Sequence, residues 1–307
     1  MNMKEILMVF KDLQQMVPKT EIAMSEPLSK HTFIKTGGNG DVFIKPFDVL
    51  DLQKIVKYAF SHDIPLTVLG KGTNVIIRDE GIRGIVVSLD QLTKVSVTGE
   101  IITVGSGANI IDVSRIALQH QLSGLEFACG IPGTVGGALI MNAGAYGGEI
   151  SEVLTSATVL TQSGELRTFK VGEFQFGYRS SIFANENLII LEAVFSLKTA
   201  DPTIIKAKMD ENTFLRESKQ PLEYPSCGSV FKRPPGHFAG KLIQDSGLQG
   251  TRIGGAEVST KHAGFIVNVD NATSTDYIQL IQHVQKTVKE KFGVDLETEV
   301  KIIGDDS

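Results

Sequence analysis

The sequence predicts a protein of the α+β class, and three features of the chain lead to this prediction. Hydrophobic residues make up 42% of the 307 residues and charged residues 21%, the balance of a globular chain with a sizeable core. Several segments show helical spacing behind a residue that caps helices, and several short apolar runs have the length of strands. Because the two kinds of segment do not alternate regularly, a repeating βαβ architecture is not expected.

Helical periodicity is clear in six parts of the chain. The predicted helices are an N-terminal one with Ile6, Leu7, Phe10 and Leu13 on one face, one capped by Asp48, one capped by Asn109, a polar one at residues 203–218, a short one near residues 238–243, and one that begins at Thr273. Thr273 and Asp276 have the spacing of a capping box, and Gly293 is the residue type that ends a helix. The last of these helices is therefore the best defined.

Short apolar runs predict the strands. They are residues 41–45, 66–69, 85–89, 95–97, 101–104 and 188–197, and a hairpin of residues 158–161 and 166–169 around Ser163-Gly164. Near the C-terminus, residues 296–302 alternate, with Glu297, Glu299 and Lys301 on the polar face. Residues 199–202 have the character of a joint, so we expect a separate α+β domain from about residue 200 onward.

Composition excludes several classes of function. The net charge of −5 lacks the basic footprint on which general nucleic-acid binding depends. Cys129 and Cys227 lie far apart and the six histidines are scattered, so neither a disulfide framework nor a metal site is expected. The N-terminus carries charges where a secretory signal needs an apolar run, and no run is long enough to span a membrane. We expect a cytoplasmic monomer with reduced cysteines.

Two glycine-rich segments suggest a bound cofactor. The longer one, Gly130–Gly148, has seven glycines in nineteen positions, and the shorter one, Gly70–Asn74, follows a predicted strand. Glycine lets backbone N–H groups approach a ligand closely, and successive N–H groups form a concavity suited to a pyrophosphate. Asn142 is suited to hydrogen-bond a polar edge and Tyr146 to pack on a ring. A single segment of this kind is as often only a tight turn, but two favour a cofactor.

The common nucleotide-binding motifs are missing. A P-loop requires GxxxxGK[ST], and Gly70-Lys71-Gly72-Thr73 lacks that spacing. A Rossmann motif requires GxGxxG between a strand and a helix, and the nearest candidate, Gly105-Ser106-Gly107, lacks the third glycine. The cofactor is therefore expected on a different fold.

Five separated motifs resemble those of the UDP-N-acetylenolpyruvoylglucosamine reductase family. They are, in the order of that family, Gly70–Asn74, Gly130–Gly148, Gly177–Ser181, Cys227–Pro234 and Glu297–Val300. The resemblance covers the chain from about His31 to the C-terminus. It implies a two-subdomain FAD-binding module of the vanillyl-alcohol-oxidase (PCMH) type at residues 31–199, divided into about 31–90 and 91–199. It also implies an N-terminal helical segment at 1–30 and a C-terminal α+β substrate-binding domain at 200–307.

The resemblance further implies the reaction. NADPH reduces a non-covalently bound FAD, which then reduces the enolpyruvyl ether of UDP-N-acetylglucosamine to UDP-N-acetylmuramate, a precursor of the bacterial cell wall. The chain lacks the tyrosine-bearing insertion of one subgroup, so the substrate contact made by that tyrosine is not carried over. NADPH and the sugar nucleotide are expected to use one site in turn, which predicts ping-pong kinetics.

The family's functional residues transfer to matching positions of this chain. For the cofactor they are Gly70, Lys71, Gly72, Thr73, Asn74, Gly130, Ile131, Pro132, Gly133, Thr134, Gly136, Gly137, Asn142, Gly144, Ala145 and Tyr146; for the substrate Tyr178, Lys219, Lys232 and Arg233; for catalysis Arg179, Ser229 and Glu299. Arg252 and Lys261 are further candidates to meet the substrate pyrophosphate. No metal ligand is implied.

Each catalytic assignment has a simpler alternative. Hydride addition to the enolpyruvyl group leaves negative charge beside its carboxylate, and a guanidinium such as that of Arg179 is suited to stabilise it. A surface ion pair is the alternative role for Arg179. Ser229 resembles the family's proton donor, although a serine after Gly228 is also typical of a turn. Glu297 shares the polar face of Glu299, so the residues alone do not choose between them, and the family spacing favours Glu299.

Two rival functions use the same features. One is a different flavoprotein of the same fold, such as an oxidase of alcohols or hydroxy acids, in which oxygen reacts rapidly with the reduced flavin. An oxidase of this kind does not explain why the chain has both Ser229 and Glu299. The other is a nucleotide-binding regulatory protein without chemistry, which would be colourless when purified.

Overall fold

The structure is a computed structural model that describes residues 2–306, and the chain divides into two compact units. The first unit comprises the N-terminal segment through Met24, Asp41–Lys71 and Gly84–Arg216. The second comprises Ser25–Gly40, Gly72–Arg83 and the segment from Glu217 onward. The units are therefore built from interleaved segments, whereas the sequence suggested contiguous ranges, and the domain boundaries stay a prediction.

Residues 2–306 contain eight α-helices and nineteen short strands. The helices are α1 (Met3–Met16), α2 (Val49–Ser61), α3 (Ile110–Gln119), α4 (Val135–Ile140), α5 (Ile182–Asn185), α6 (Pro202–Lys219), α7 (Ala239–Asp245) and α8 (Ser274–Phe292). The strands are β1 (Glu21–Pro27), β2 (Asn39–Lys45), β3 (Leu66–Leu69), β4 (Val75–Ile77), β5 (Ile82–Ser88), β6 (Val95–Thr98), β7 (Ile101–Gly105), β8 (Leu122–Ser123), β9 (Gly144–Ala145), β10 (Gly148–Glu149), β11 (Leu154–Leu160), β12 (Leu166–Lys170), β13 (Ile189–Ser196), β14 (Lys198–Thr199), β15 (Ser226–Ser229), β16 (Arg252–Ile253), β17 (Ala256–Val258), β18 (Phe265–Asn268) and β19 (Lys301–Ile303). None of these helices is both long and apolar enough to cross a membrane.

The first sheet has the strand order β1-β2-β5-β3, with β3 parallel to β5. The central strand β5 carries the unbroken buried run Ile85–Val87, which is typical of a strand covered on both faces. Buried side chains of α1 and α2 join the same core, among them Leu13, Leu52 and Ile55. The sheet thus holds the C-terminal ends of β3 and β5 next to each other, where the shorter glycine-rich segment begins.

The second sheet, also in the first unit, is antiparallel with the order β12-β11-β13-β7-β6. Its central strand β13 alternates between buried and exposed side chains, with Ala193 and Phe195 fully buried and Glu192 exposed. Residues of α3 and α4, such as Val113 and Leu139, complete this core. The core therefore supports the longer glycine-rich segment, which contains α4.

The second unit is built on the antiparallel sheet β15-β18-β17-β16, whose buried residues share one core with α7 and α8. A separate parallel pair joins β4 to β19, with Val75 opposite Lys301 and Ile77 opposite Ile303. Through this pair, the residues that follow the shorter glycine-rich segment lie beside the C-terminal strand of the chain. The pair is the reason that residues far apart in sequence meet in this unit.

Most predicted elements are confirmed, and three expectations are corrected. The buried stripe of α1 is Ile6, Val9 and Leu13, whereas Leu7 is 40% exposed, because the helix turns its i, i+3, i+7 face inward. The strand predicted at residues 296–302 is regular only at Lys301–Ile303, since its first half makes a single bridge between Phe231 and Thr298. The longer glycine-rich segment is not all loop, because its middle forms α4.

The first turn of α8 is capped twice. Thr273 and Asp276 form the predicted capping box, and the carboxylate of Asp79 accepts hydrogen bonds from the backbone N–H groups of Ser274 and Thr275, each at 2.9 Å. Burial alone would raise the pKa of Asp79, but the hydrogen bonds from Thr275 and Ser274 outweigh it and hold the pKa below the ordinary 3.8. The charged carboxylate therefore stabilises the fold.

Asp79→Asn is expected to lower the free energy of unfolding at neutral pH by about 1 kcal/mol, because asparagine loses the charge that strengthens these capping bonds. The folded-state pKa of Asp79 lies below its unfolded value, so its contribution is present above pH 3.8 and disappears as the pH falls through the folded-state pKa. Urea denaturation measures the free energy of unfolding of the variant and of the wild type at pH 7 and at pH 3, and the difference between the two proteins should be smaller at pH 3. The neighbouring exposed Glu80→Gln serves as the control, and an equal loss of stability in both variants would contradict the capping role.

Candidate cofactor and active site

In the first unit, a ring of close contacts joins the two glycine-rich segments. A Cβ on Gly70 would lie 2.9 Å from Oγ1 of Thr134, and the N–H of Gly136 donates to the carbonyl of Ser106 at 2.8 Å. Gly107 packs so tightly on Leu89 that a Cβ there would lie 1.9 Å from the Leu89 carbonyl oxygen. The glycines at these positions therefore serve close backbone approach.

The ring contains polar groups that the protein itself does not use. Within residues 2–306, only three buried side-chain N or O atoms have no hydrogen-bond partner, and two of them are the hydroxyl oxygens of Ser88 and Ser106. Ser88 pairs in register with Leu69, directly before Gly70. The backbone N–H groups of Gly133 and Thr134 likewise have no acceptor among the described residues. Buried donors without partners are rare, so this ring suits an anionic ligand such as a pyrophosphate.

Not every backbone donor of the longer segment is available to a ligand. The N–H groups of Gly136 and Gly137 donate within the protein, to the Ser106 carbonyl and to Oγ1 of Thr134. The backbone donors of these two glycines are therefore used within the protein, and the assignment of Gly136 and Gly137 to the cofactor stays a prediction. They lie in the first turn of α4, where Gly136 is partly buried and Gly137 is exposed, and a Cβ on residue 136 would lie 3.2 Å from Cβ of Ser106.

Asn142 is also engaged internally. Its side chain is 2% exposed, its amide nitrogen donates to Glu149 at 3.1 Å and to the Gly177 carbonyl at 3.3 Å, and its amide oxygen accepts from the N–H of Ser151. The amide that the sequence offered to a cofactor is thus used by the protein. Its position shows that Asn142 braces the segment around Gly177, in which Arg179 lies.

Arg179 lies at the tip of a tight turn. Gly177 and Ser180 close the turn by exchanging two backbone hydrogen bonds, and Arg179 adopts a left-handed backbone with φ of 55°. Its guanidinium lies 5.2 Å from the ring centre of Tyr178 and donates to the carbonyl of Gly144 at 3.3 Å. A non-glycine residue in this conformation is uncommon, and strained residues of this kind tend to cluster at functional sites. The structure therefore brings Arg179 against the longer glycine-rich segment.

The remaining predicted cofactor residues of the first unit differ in their exposure. Gly130, Ile131, Pro132, Gly144 and Ala145 are partly buried, whereas Lys71 is exposed. Tyr146 is 37% exposed and has a left-handed backbone with φ of 52°. Burial raises the pKa of Tyr146, and nearby Arg216 partly opposes this effect. The sequence did not single out Arg216.

In the second unit, the end of the shorter segment meets the C-terminal strand. Gly72 has φ of 60°, and a Cβ there would lie 2.3 Å from the carbonyl oxygen of His31, so glycine is needed for close packing. Asn74 accepts a hydrogen bond from the N–H of Lys301 at 3.0 Å, and its amide donates to the carbonyl of Glu299 at 3.3 Å. Asn74 thus fixes the backbone that carries Glu299. Thr73, between them, is partly buried.

Ser229 is exposed by an irregularity in its strand. Pairing between β15 and β18 shifts register between Ser226 and Ser229, and Gly228 has φ of 76° within this bulge. No atom lies within 4 Å of a Cβ built on Gly228, so the backbone angle, and not the available space, calls for glycine there. Bulges of this kind re-aim side chains near active sites. Here Ser229 faces solvent while Cys227 is buried.

The second unit brings Ser229 and Glu299 onto adjacent backbone. Glu299 donates its N–H to the carbonyl of Val230 at 2.8 Å, one residue from Ser229. Glu297 is 72% exposed at its side chain and is ion-paired with Lys232. The two glutamates that the sequence left unresolved therefore differ: the carboxylate of Glu297 faces a lysine at the surface, and Glu299 is partly buried.

The other predicted substrate cations lie in the second unit in varied settings. Arg233 is exposed, with its guanidinium 4.0 Å from the ring centre of Phe238, and Lys219 is exposed at the end of α6. Arg252 is paired with Glu257 at 3.4 Å. Lys261 donates to the carbonyl of Glu217 at 2.9 Å. Arg252 thus already has a carboxylate partner, which weakens its candidacy for a phosphate.

Three residues near the site were missed by the sequence analysis. Ser88 ends a buried strand and Ser106 lies between two glycines, and neither position is distinctive without the contacts of the folded chain. Arg216 did leave a signal. The buried residues of α6 are Ile205, Met209 and Asn212, so an arginine four residues further continues an inward-facing stripe.

Comparison with known proteins gives two family matches. The model described as "FAD binding domain" matches residues 40–170, and the model described as "UDP-N-acetylenolpyruvoylglucosamine reductase, C-terminal domain" matches residues 220–303. Among curated relatives, UDP-N-acetylenolpyruvoylglucosamine reductase 2 from Bacillus cereus is 64% identical over 306 residues, which cover 100% of this chain and 99% of that protein.

Two solved structures are similar in fold. The crystal structure of UDP-N-acetylenolpyruvylglucosamine reductase from Thermus caldophilus has a TM-score of 0.79 and 31% identity, covering 92% of this chain and 98% of that chain. A glucose dehydrogenase has a TM-score of 0.51 and 16% identity, covering 64% of this chain and 44% of that chain. The second likeness concerns the fold alone.

Proposed function

Because the chain belongs to the UDP-N-acetylenolpyruvoylglucosamine reductase family, we propose that it performs the family's reduction with Arg179, Ser229 and Glu299 as its catalytic residues. The enzyme is an FAD-dependent oxidoreductase that uses NADPH to reduce UDP-N-acetylglucosamine enolpyruvate to UDP-N-acetylmuramate in peptidoglycan precursor synthesis. Its fold class is the predicted one, an FAD-binding module of the vanillyl-alcohol-oxidase type with a C-terminal α+β domain. We further propose that it acts as a cytoplasmic monomer, where NADPH is available.

One observation carries the assignment of the cofactor site. Ser88 and Ser106 present hydroxyl oxygens without partners in the ring that joins Gly70 to Thr134, and glycines there leave no room for a Cβ. These residues fit the pyrophosphate of FAD. The bound flavin supplies the hydride chemistry, and the protein supplies binding, orientation and charge.

Arg179 is suited to stabilise the charge that develops on the substrate. Hydride addition to the terminal carbon of the enolpyruvyl group leaves negative charge delocalised into its carboxylate. A guanidinium remains charged at working pH and binds a carboxylate through two parallel hydrogen bonds. The turn Gly177–Ser180 and its braces from Asn142 and from Ser181, whose hydroxyl donates to the Ile140 carbonyl at 2.8 Å, hold Arg179 in place.

Ser229 and Glu299 are suited to complete the reaction by protonating the α-carbon of the enolpyruvyl group. The carbanion-like α-carbon is a strong base, so even a serine hydroxyl is acidic enough to protonate it when it is correctly placed. The bulge at Gly228 exposes the Ser229 hydroxyl, and the hydrogen bond from Glu299 N–H to Val230 keeps the two residues on adjacent backbone. We assign the role of proton donor to Ser229, and we assign polarisation of the enol to Glu299.

The product of the reaction tests this function. The purified enzyme is incubated with NADPH and UDP-N-acetylglucosamine enolpyruvate, and the sugar nucleotide is analysed by mass spectrometry. Gain of one hydride and one proton, seen as a mass increase of two hydrogen atoms in the sugar nucleotide, is the expected result. Oxidation of NADPH by air without change in the sugar nucleotide would instead favour an oxidase of the same fold.

Glu299→Gln is expected to lower turnover on the order of tenfold, because glutamine keeps the shape of the side chain but replaces the carboxyl group with an amide, which cannot ionise. Glu297→Gln is the matched control, since that carboxylate only pairs with Lys232 at the surface and such pairs contribute little. Stopped-flow measurement of flavin reoxidation by the substrate compares the two variants. A larger effect from Glu297→Gln would reverse the assignment.

A further inference from the structure

Arg216 places a cation against the longer glycine-rich segment. It continues the buried stripe of α6, four residues after Asn212. A Cβ on Gly130 would lie 2.9 Å from Cδ of Arg216, so the arginine stem packs directly on the backbone of Gly130. The glycine at position 130 is therefore required by the approach of this side chain.

The guanidinium of Arg216 has no counter-ion in the part of the chain that the structure describes. Among residues 2–306, no carboxylate forms an ion pair with it. The titratable groups that act on it are Tyr146 and Cys129, and burial raises the pKa of both, so both are neutral at working pH. Burial also lowers the pKa of Arg216, which is the sign of a desolvated cation. Arg216 is partly buried, and removing even part of the water around an unpaired cation is unfavourable, which indicates that a bound anion completes this site.

We propose that Arg216 is the counter-ion of an anionic part of bound FAD, an inference that rests on the proposed function. Two parts of FAD carry negative charge: the pyrophosphate and the reduced isoalloxazine, where the charge is spread over N1 and the C2 carbonyl. The ring of Ser88, Ser106 and Thr134 already offers donors for the pyrophosphate. Arg216 instead lies at Gly130 and Tyr146, so we assign it to the isoalloxazine, whose electronics respond to a charge near N1.

The test compares Arg216→Met with the wild-type enzyme in two measurements that do not depend on turnover. Methionine keeps an unbranched apolar stem against Gly130 and removes the charge. The first measurement is the affinity of the apoprotein for oxidised FAD, and the second is the reduction potential of the bound FAD. We expect reduced FAD to bind about 10- to 100-fold more weakly relative to oxidised FAD, which lowers the potential by about 30 to 60 mV.

The outcomes separate the two anions. Equal weakening of oxidised and reduced FAD, with an unchanged potential, would place Arg216 at the pyrophosphate and would still support its role as a counter-ion of FAD. Unchanged affinity and unchanged potential would overturn the proposal, as would a change confined to the KM of the sugar nucleotide. Failure of the wild-type protein to bind FAD would instead reject the proposed function.

Two further variants guard against a structural explanation. Arg167→Met, at an exposed position of β12, is the control for loss of an arginine and should leave both measurements unchanged. Arg216→Lys keeps the charge, so we expect its affinity for FAD and its reduction potential to lie close to those of the wild-type enzyme. The apoprotein of Arg216→Met should be at least as stable as the wild type, because an uncompensated charge is removed. A lowered reduction potential of bound FAD in both Arg216→Lys and Arg167→Met would contradict the proposal.

Discussion

Ser229→Ala is expected to slow the reaction of the reduced enzyme with UDP-N-acetylglucosamine enolpyruvate by about 10²- to 10⁴-fold, the range that a positioned proton donor contributes. Reduction of the enzyme by NADPH should be nearly unchanged, because that step needs no proton from Ser229. The side chain is exposed at a bulge, so its replacement leaves the buried packing of Cys227 and Val230 intact. Stopped-flow absorbance measures the two half-reactions separately.

Ser229→Cys is the informative companion variant. A thiol is a stronger acid than an alcohol and occupies nearly the same position, so we expect it to restore part of the rate that alanine loses. Equal slowing of both half-reactions in Ser229→Ala would contradict the role of proton donor. Such a result would mean that the bulge at Gly228 positions bound ligands and takes no part in proton transfer.

Arg179→Met is expected to lower the rate of the same half-reaction by about 10²- to 10³-fold, as when a single donor to a developing oxyanion is removed. Arg179→Lys should recover only part of the loss, since an ammonium cannot make the paired hydrogen bonds of a guanidinium. FAD content should be unchanged in both variants. The turn is closed by backbone hydrogen bonds between Gly177 and Ser180, which neither substitution removes.

A colourless Arg179→Met protein would contradict this account. The guanidinium also donates to the Gly144 carbonyl, so loss of FAD would show that this hydrogen bond, and not charge stabilisation, is the main contribution of Arg179. The exposed Arg167→Met again provides the control. Measured absorbance of the purified variants at the flavin bands decides between the two roles before any kinetic experiment.

Local signals in the sequence were sufficient for most helices and strands. Thr273, Asp276 and Gly293 predicted both ends of α8, since caps depend on residues within one turn of the helix. α4 escaped prediction because Gly136 and Gly137 lower helix propensity, and its capping by Thr134 stands out only in the folded chain. Periodicity also failed to distinguish Val9 from Leu7 in the short helix α1, where a small rotation decides which side chain is buried.

The sequence was sufficient to propose the residues of the candidate site but not to predict their arrangement. Motif resemblance selected Arg179, Ser229 and Glu299, whereas the partners that hold them come from distant parts of the chain. Asn142 braces the turn of Arg179, and Asn74 binds the backbone of Glu299 across 225 positions of sequence. Such contacts depend on sheet pairing, which no local pattern encodes. For the same reason Ser88 and Ser106 gave no signal before the fold was known.

The most direct test of the account is an absorbance trace of the wild-type enzyme without air. NADPH is added first, and UDP-N-acetylglucosamine enolpyruvate is added after the flavin bands have stopped changing. We expect NADPH to bleach the bands and the sugar nucleotide to restore them, because one bound FAD is reduced by the first and oxidised by the second. Bleaching without recovery would contradict the account, since it would leave a flavoprotein that does not reduce this substrate.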